Sequence, residues 1–206
     1  MGLRVADLIL VTGSPGVGKS VVSEALSTTL GCSFIESTLF LKSAGALRAD
    51  PSGRDSEVVD ERLALESIRR FVLNEEGCFV VSSLHPTLWL NDLQEQVIFV
   101  VLLRCHPRIL LGRLESRGWS RAKVLENVIA ESFNVIAEEL LNYEDLVLEV
   151  DTSGKDVGEL VDEILARLDI WDTGIRIDWL SLDEGLVELV TRLVHELDLY
   201  KEGFGV

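Results

Sequence analysis

The stretch Gly13-Ser14-Pro15-Gly16-Val17-Gly18-Lys19-Ser20 constrains the fold of this chain more than any other feature. It matches G-x-x-x-x-G-K-[ST], and its setting gives the match weight. The apolar run Asp7 to Thr12 precedes it, and a helical pattern of Val22, Leu26 and Leu30 follows it as far as Gly31. A chain that leaves a buried strand and turns at once into a helix aims successive backbone N–H groups into the turn. Such a turn needs small residues where a Cβ would obstruct, at Gly16 and Gly18, and the helix N-terminus adds the positive end of its dipole. The loop is therefore an expected phosphate cradle. Gly13, Pro15, Gly16, Val17, Gly18, Lys19, Ser20 and Val21 are the expected ATP contacts, with Lys19 reaching the β- and γ-phosphates and the Ser20 hydroxyl ligating Mg²⁺.

Further apolar runs at Ser33 to Glu36, Cys78 to Ser83, Val97 to Leu103 and Leu146 to Val150 each precede a helical or loop-helix pattern. Strand and helix in alternation predict an α/β fold, a three-layer arrangement with a five-stranded parallel sheet. Val58, Leu65, Ile68 and Val72 predict one long helix stopped by Gly77. Pro107 suits a first helical turn, and Gly118 follows the helix it opens. After a cap at Ser120, the stripe Leu125, Ile129, Phe133, Ile136 and Leu140 predicts a single long helix. Between Ser37 and Asp55 the pattern weakens, and Gly45, Pro51 and Gly53 suggest a short helix and a mobile loop. Beyond Leu168, Ile175, Ile177 and Trp179 alternate with polar residues. Ser181 and Glu184 then have capping-box spacing ahead of Leu186, Val187, Val190, Leu193, Val194 and Leu197, so the tail is expected to be an acidic amphipathic helix that packs on the main core or, as the alternative, binds a partner.

With 206 residues and 47% apolar composition, the chain can bury one sizeable core. Its longest apolar stretch, Val97 to Leu103, is too short to span a membrane, and the N-terminus has no leader pattern, so a soluble cytoplasmic protein is expected. Gly2 does not complete a myristoylation signal, because Ala6 stands where Ser or Thr is needed. Cys32, Cys78 and Cys105 have no metal-ligand spacing and are expected to be reduced core residues. A net charge of −16 argues against direct nucleic-acid binding and makes a basic protein the natural macromolecular partner.

Several further motifs resemble the adenylate kinase isoenzyme 6 family, P-loop proteins of the nucleoside monophosphate kinase type that also act in small-ribosomal-subunit assembly. Val58-Val59-Asp60-Glu61 is similar to its V-V-D-E, and His85 follows the third strand where the family places a histidine. Leu103-Arg104, the segment Arg113 to Trp119, the series Lys123, Asn127 and Glu131, and Ser153-Gly154-Lys155 are similar to its later motifs. The resemblance covers Ile9 to Leu168, about four-fifths of the chain. It implies a kinase-like domain over residues 1–168, a monophosphate-binding segment at about 36–60, a lid at about 115–126, and an additional C-terminal extension over 169–206. Lys19, His85, Arg104 and Arg117 are then the expected catalytic residues. Arg104, Arg113 and Arg117 are expected to converge on bridging phosphates. Arg117 and Lys155 are added to the nucleotide contacts, the turn at Lys155 packing on the adenine. Lys123, Asn127 and Glu131 share a helix face by their spacing of four, which serves the site or is simply solvated.

Three positions depart from the family pattern. Ser83 replaces a carboxylate that would fix Mg²⁺ through water, Thr38 replaces an acid, and Glu57 replaces an arginine that would grip the acceptor phosphate. Arg48 or Arg54 is the candidate replacement for that arginine, and Asp92 or Asp151 for the lost carboxylate. The expected activity is γ-phosphoryl transfer from ATP to a nucleoside monophosphate, AMP first among them. The alternatives are an assembly ATPase that acts on a basic small-subunit ribosomal protein, and a nucleotide-binding module without turnover.

Overall fold

The computed structural model describes residues 6–50 and 57–202, without the side chain of Asp92. Gly2, Pro51, Gly53 and Arg54 lie outside the described residues, as does the Asp92 carboxylate. In chain order the elements are β1 (Asp7–Thr12), α1 (Lys19–Leu30), β2 (Ser33–Glu36), α2 (Ser37–Ser43), β3 (Leu47–Ala49), β4 (Glu57–Val59), α3 (Glu61–Asn74), β5 (Cys78–Ser82), α4 (Thr87–Leu90), β6 (Val97–Arg104), α5 (Pro107–Glu115), α6 (Arg121–Ser132), α7 (Val135–Glu139), β7 (Val147–Asp151), α8 (Val157–Asp169), α9 (Trp179–Leu182) and α10 (Glu184–Lys201). The fold is α/β: a five-stranded parallel sheet in the order β2-β5-β1-β6-β7 with flanking helices, plus a separate antiparallel pair of β3 and β4. All five apolar runs became sheet strands, because a parallel strand covered on both faces needs a continuous run of apolar side chains.

The chain divides into two compact units, one holding β1 and Lys19–Val101, the other holding Gly13–Gly18 and the chain from Leu102. In the first unit, α1 buries Val22, Ser23, Leu26 and Ser27 and packs on β5. Helix α3 begins after Asp60, whose carboxylate accepts the Leu63 N–H, and buries Ala64, Ile68 and Val72. Val58 is therefore not helical as predicted. It is paired with Arg48 across the β3–β4 ribbon, and β3 occupies part of the predicted loop. Phe40, Phe71, Phe79 and Trp89 form an aromatic cluster with ring centroids 5.0–6.4 Å apart, and the Trp89 indole N–H donates to Ser37 Oγ at 3.0 Å.

The cysteine expectation is corrected in this unit. Strand β2 runs parallel to β5 with Ser33 opposite Phe79, so the preceding residues, Cys32 and Cys78, also face each other. Their Cα atoms are 4.8 Å apart, the normal spacing of neighbouring strands, and the two form a disulfide. Both are only half-buried, and Cys105 is the free, buried cysteine.

In the second unit, α6 packs against α5 and α10. The predicted helix from Ser120 to Leu140 is broken. Ser120 caps α6 as expected, but α6 stops at Ser132, and Asn134 adopts a left-handed conformation with φ 58° before α7 begins. Phe133, read as part of the buried stripe, is half exposed as a result. After α8 the chain runs beside β7, with Gly174 bridged to Leu148. Helix α10 buries Leu186, Val190, Leu193 and Leu197, as the amphipathic pattern required, while Val187 and Val194 remain outward. Its cap is Asp183, which accepts the Gly185 N–H. Ser181, the predicted cap, lies inside α9 and donates to Asp178 instead. Among the described residues no helix is long and apolar enough to cross a membrane.

Candidate functional site

The loop between β1 and α1 has the conformation of a phosphate cradle. Gly13, Gly16 and Gly18 have φ of +135°, +95° and +105°, a region that disfavours side chains. A Cβ on Gly13 would lie 2.2 Å from the Leu103 carbonyl oxygen, and one on Gly16 would lie 2.7 Å from Leu114 Cδ2, so both backbones sit tight against the end of β6 and against α5. At Gly18 a Cβ would meet nothing within 4 Å; conformation alone selects glycine there, and the space beside it is open. Val17 is buried and its N–H points to the Ser14 carbonyl. Lys19 then opens α1, with Ser20 and Val21 exposed. Three glycines held at positive φ ahead of Lys19 and an exposed Ser20 fit a phosphate group and its metal.

Behind the loop stands Glu131. The side chain is 2% exposed, and its Oε2 accepts the Ser14 hydroxyl at 2.6 Å. Its Oε1 accepts Arg104 Nε at 2.8 Å, the Trp179 indole N–H at 3.0 Å and the Cys105 N–H at 3.2 Å. Lys123, Asn127 and Glu131 do share a helix face, but it is not a solvated charged face. Lys123 Nζ stands 4.6 Å above the Trp119 ring, Asn127 bonds back to the Lys123 carbonyl, and Glu131 is in the core.

The expected convergence of three arginines on phosphate is not what the structure shows. Arg104 is 1% exposed and turned inward. Besides Glu131 it donates to Glu149 Oε1 at 2.6 Å, the Asn134 amide oxygen and the Ile177 carbonyl, so its guanidinium is fully committed inside the protein. A buried arginine needs counter-charges and acceptors for all its N–H groups, and two buried carboxylates supply them. Arg104 therefore holds β6, α6 and β7 together. Arg113 donates to the Thr152 hydroxyl and carbonyl at 3.1 and 2.8 Å. Arg117 is exposed, with its guanidinium 5.7 Å from the Trp119 ring. Lys155 pairs with Glu163 at 2.6 Å, while Ser153 accepts the His106 N–H at 2.8 Å and fixes the turn that carries Lys155. Burial pushes the Cys105 thiol up.

In the first unit, His85 is exposed and its backbone N–H donates to the buried Ser83 hydroxyl at 3.1 Å. Ser83 thus shapes the turn carrying His85. Thr38 is exposed on α2; Glu57 pairs with Lys42 at 3.1 Å, and Arg48 with Asp60 at 2.8 Å. Asp151, a candidate for the missing carboxylate, accepts the Ser153 N–H at 2.8 Å in the second unit.

A family described as AAA domain matches residues 9–134, more than half of the chain. A protein of Sulfurisphaera tokodaii that bears the name "Putative adenylate kinase" is 30% identical over 195 residues, which span 95% of this chain and 97% of that one. Another protein of that name, from Thermococcus gammatolerans, is 40% identical over 163 residues, 79% of this chain and 85% of its own. The chain belongs to this family. The shikimate kinase of Bacteroides thetaiotaomicron has a similar structure, with a TM-score of 0.56 at 16% identity over 79% of this chain and 98% of that one, and the likeness shows a P-loop kinase fold.

Within this family fold, the sequence reading missed the buried polar cluster behind the loop. Two signals for it were present. Glu131 occupies the position one heptad beyond Val124 on the face that buries Val124 and Val128, and Glu149 interrupts the apolar run of β7. A carboxylate in a core position demands a buried cation, and Arg104 closes its own apolar strand.

Proposed function

We propose that this protein is an ATP-dependent nucleoside monophosphate kinase, resembling the adenylate kinase isoenzyme 6 type, that transfers the γ-phosphoryl group to AMP or a related monophosphate. The observation that carries the reading is the loop of three positive-φ glycines that runs from β1 into Lys19 and Ser20 at the start of α1. Backbone N–H groups of the loop would bind the β-phosphate, Lys19 would bridge the β- and γ-phosphates, and Ser20 would hold the metal of Mg-ATP. Bound there, the metal would supply positive charge to the phosphate oxygens. Arg117, exposed beside the Trp119 ring, steadies the transferred group, and His85 orients the acceptor or a water. An oxygen of the acceptor phosphate forms the new bond to the γ-phosphorus as the bond to the ADP oxygen breaks, so the protein's work is alignment and charge stabilisation.

A second reading, an ATPase that works as a small-ribosomal-subunit assembly factor on a basic ribosomal protein, is favoured by the acceptor side. Glu57 already pairs with Lys42 and Arg48 with Asp60, and Ser83 offers no carboxylate. With water in place of the acceptor the same loop hydrolyses ATP. The deciding experiment follows ADP formation from Mg-ATP with and without AMP, CMP, GMP, UMP or dAMP, against Lys19→Ala. Acceptor-stimulated turnover that Lys19→Ala abolishes supports the kinase. Acceptor-independent hydrolysis that it abolishes supports the second reading, and the absence of any Lys19-dependent turnover overturns both.

A further inference from the structure

We infer that Trp179, in the C-terminal part of the chain, is a positioning residue for the phosphate loop and acts through Glu131 on Ser14. The inference rests on the reading of Gly13–Ser20 as the ATP loop. A carboxylate is rigid and planar, so whatever fixes one oxygen aims the other. The Trp179 indole N–H, Arg104 Nε and the Cys105 N–H all hold Glu131 Oε1, and this directs Oε2 at the Ser14 hydroxyl 2.6 Å away. Ser14 lies between Gly13 and the Val17 turn, whose N–H points to the Ser14 carbonyl, so the hydroxyl bond tethers the loop at the residue about which it folds.

Trp179 is itself held from the far side. It is 5% exposed and packs with Leu186 and Val190 of α10 and with Ile177, Leu180 and Leu189. Its ring also meets His106 edge-on at 5.3 Å and lies 5.8 Å from the Arg104 guanidinium carbon. Helix α10 is clipped to α6 by Arg121, which grips Glu196 through Nε and Nη2 at 2.7 and 3.0 Å. The indole N–H thus joins the C-terminal helices to the carboxylate that holds Ser14. A tryptophan used only to fill the core needs its ring but not that particular acceptor, and the two roles separate experimentally.

The test is a double-mutant cycle read on ATP affinity by calorimetry, with thermal midpoints recorded in parallel. Trp179→Phe keeps the aromatic packing and removes the N–H; Ser14→Ala removes the hydroxyl. Each is expected to weaken ATP binding about fivefold, and the double variant to be no weaker than either alone. A core-filling role lowers the midpoint of Trp179→Phe and leaves its ATP affinity at the wild-type value, which overturns the inference; so does a simple product of the two losses. If the wild-type chain binds no ATP, the nucleotide reading falls and this inference with it. Should Trp179→Phe fail to fold, the ¹⁵N-indole signal of Trp179 in the wild type decides: it shifts on ATP addition and in Ser14→Ala if the coupling exists, and stays in place in both if it does not.

Discussion

The proposed acceptor segment in the first unit and the surroundings of the glycine loop in the second are each stabilised by different physics. In the first unit, an aromatic cluster built on Phe40 and Phe71 and the Cys32–Cys78 bond secure the described residues, while Lys42 pairs with Glu57 and Arg48 with Asp60 at the surface. Around the loop, buried charges do the holding: Arg104 between Glu131 and Glu149, with Ser14 and Trp179 completing the hydrogen bonds. Apolar packing tolerates changes of shape, whereas a buried charge cluster is accurate only when complete. The surroundings of the glycine loop are thus built for fixed geometry, and the proposed acceptor segment leaves its surface charges open to change at little cost to the fold.

Breaking the buried cluster gives the largest effect. Arg104→Met leaves two carboxylates without their cation and is expected to cost about 3–5 kcal/mol in denaturant unfolding. A loss under about 1 kcal/mol would show that the cluster contributes no more than a surface pair. Replacing both Cys32 and Cys78 with alanine removes a cross-link of sequence separation 46 and is expected to cost about 3–4 kcal/mol, with an equal loss when the wild type is reduced. An unchanged midpoint under reduction would remove the covalent link from the comparison. Glu57→Arg sharpens the contrast differently. Stability should stay within about 0.5 kcal/mol of wild type, while a charge-assisted grip worth about 1.5 kcal/mol lowers the KM for AMP roughly tenfold. The smallest effect is at Arg121 and Glu196, where Glu196→Gln should cost about 0.5 kcal/mol. Hydrogen bonding from Arg121 holds the Glu196 carboxyl below the usual carboxylate range. The pair's contribution is therefore complete above that range and is lost as pH falls through the lowered value; a wild-type advantage over Glu196→Gln that persists in strong acid would contradict the assignment.

How much of this the sequence discloses depends on whether a feature is local. The five strands and the loop could be read because each is a short run with its own periodicity and glycine pattern, and Ser120 and Pro107 mark helix starts by local rules. The break at Asn134 could not, because the apolar stripe continues through it; the left-handed turn is stabilised by a tertiary bond from Arg104. The inward turn of Arg104 is hidden from the sequence for the same reason. Its place at a strand's carboxyl end favours a ligand role, and only the packing of α6 and β7 supplies the carboxylates that draw it inward. Ser181 lost the cap of α10 to Asp183, which also engages Arg108 from α5.

The facing of Cys32 and Cys78 has a topological consequence. With the bond formed, the chain from 32 to 78 is a closed ring that contains α2, both strands of the small ribbon and α3. A protease that cuts once anywhere in that ring opens it without releasing a fragment. The nicked protein keeps its full mass under non-reducing conditions and separates into two pieces only after a thiol is added.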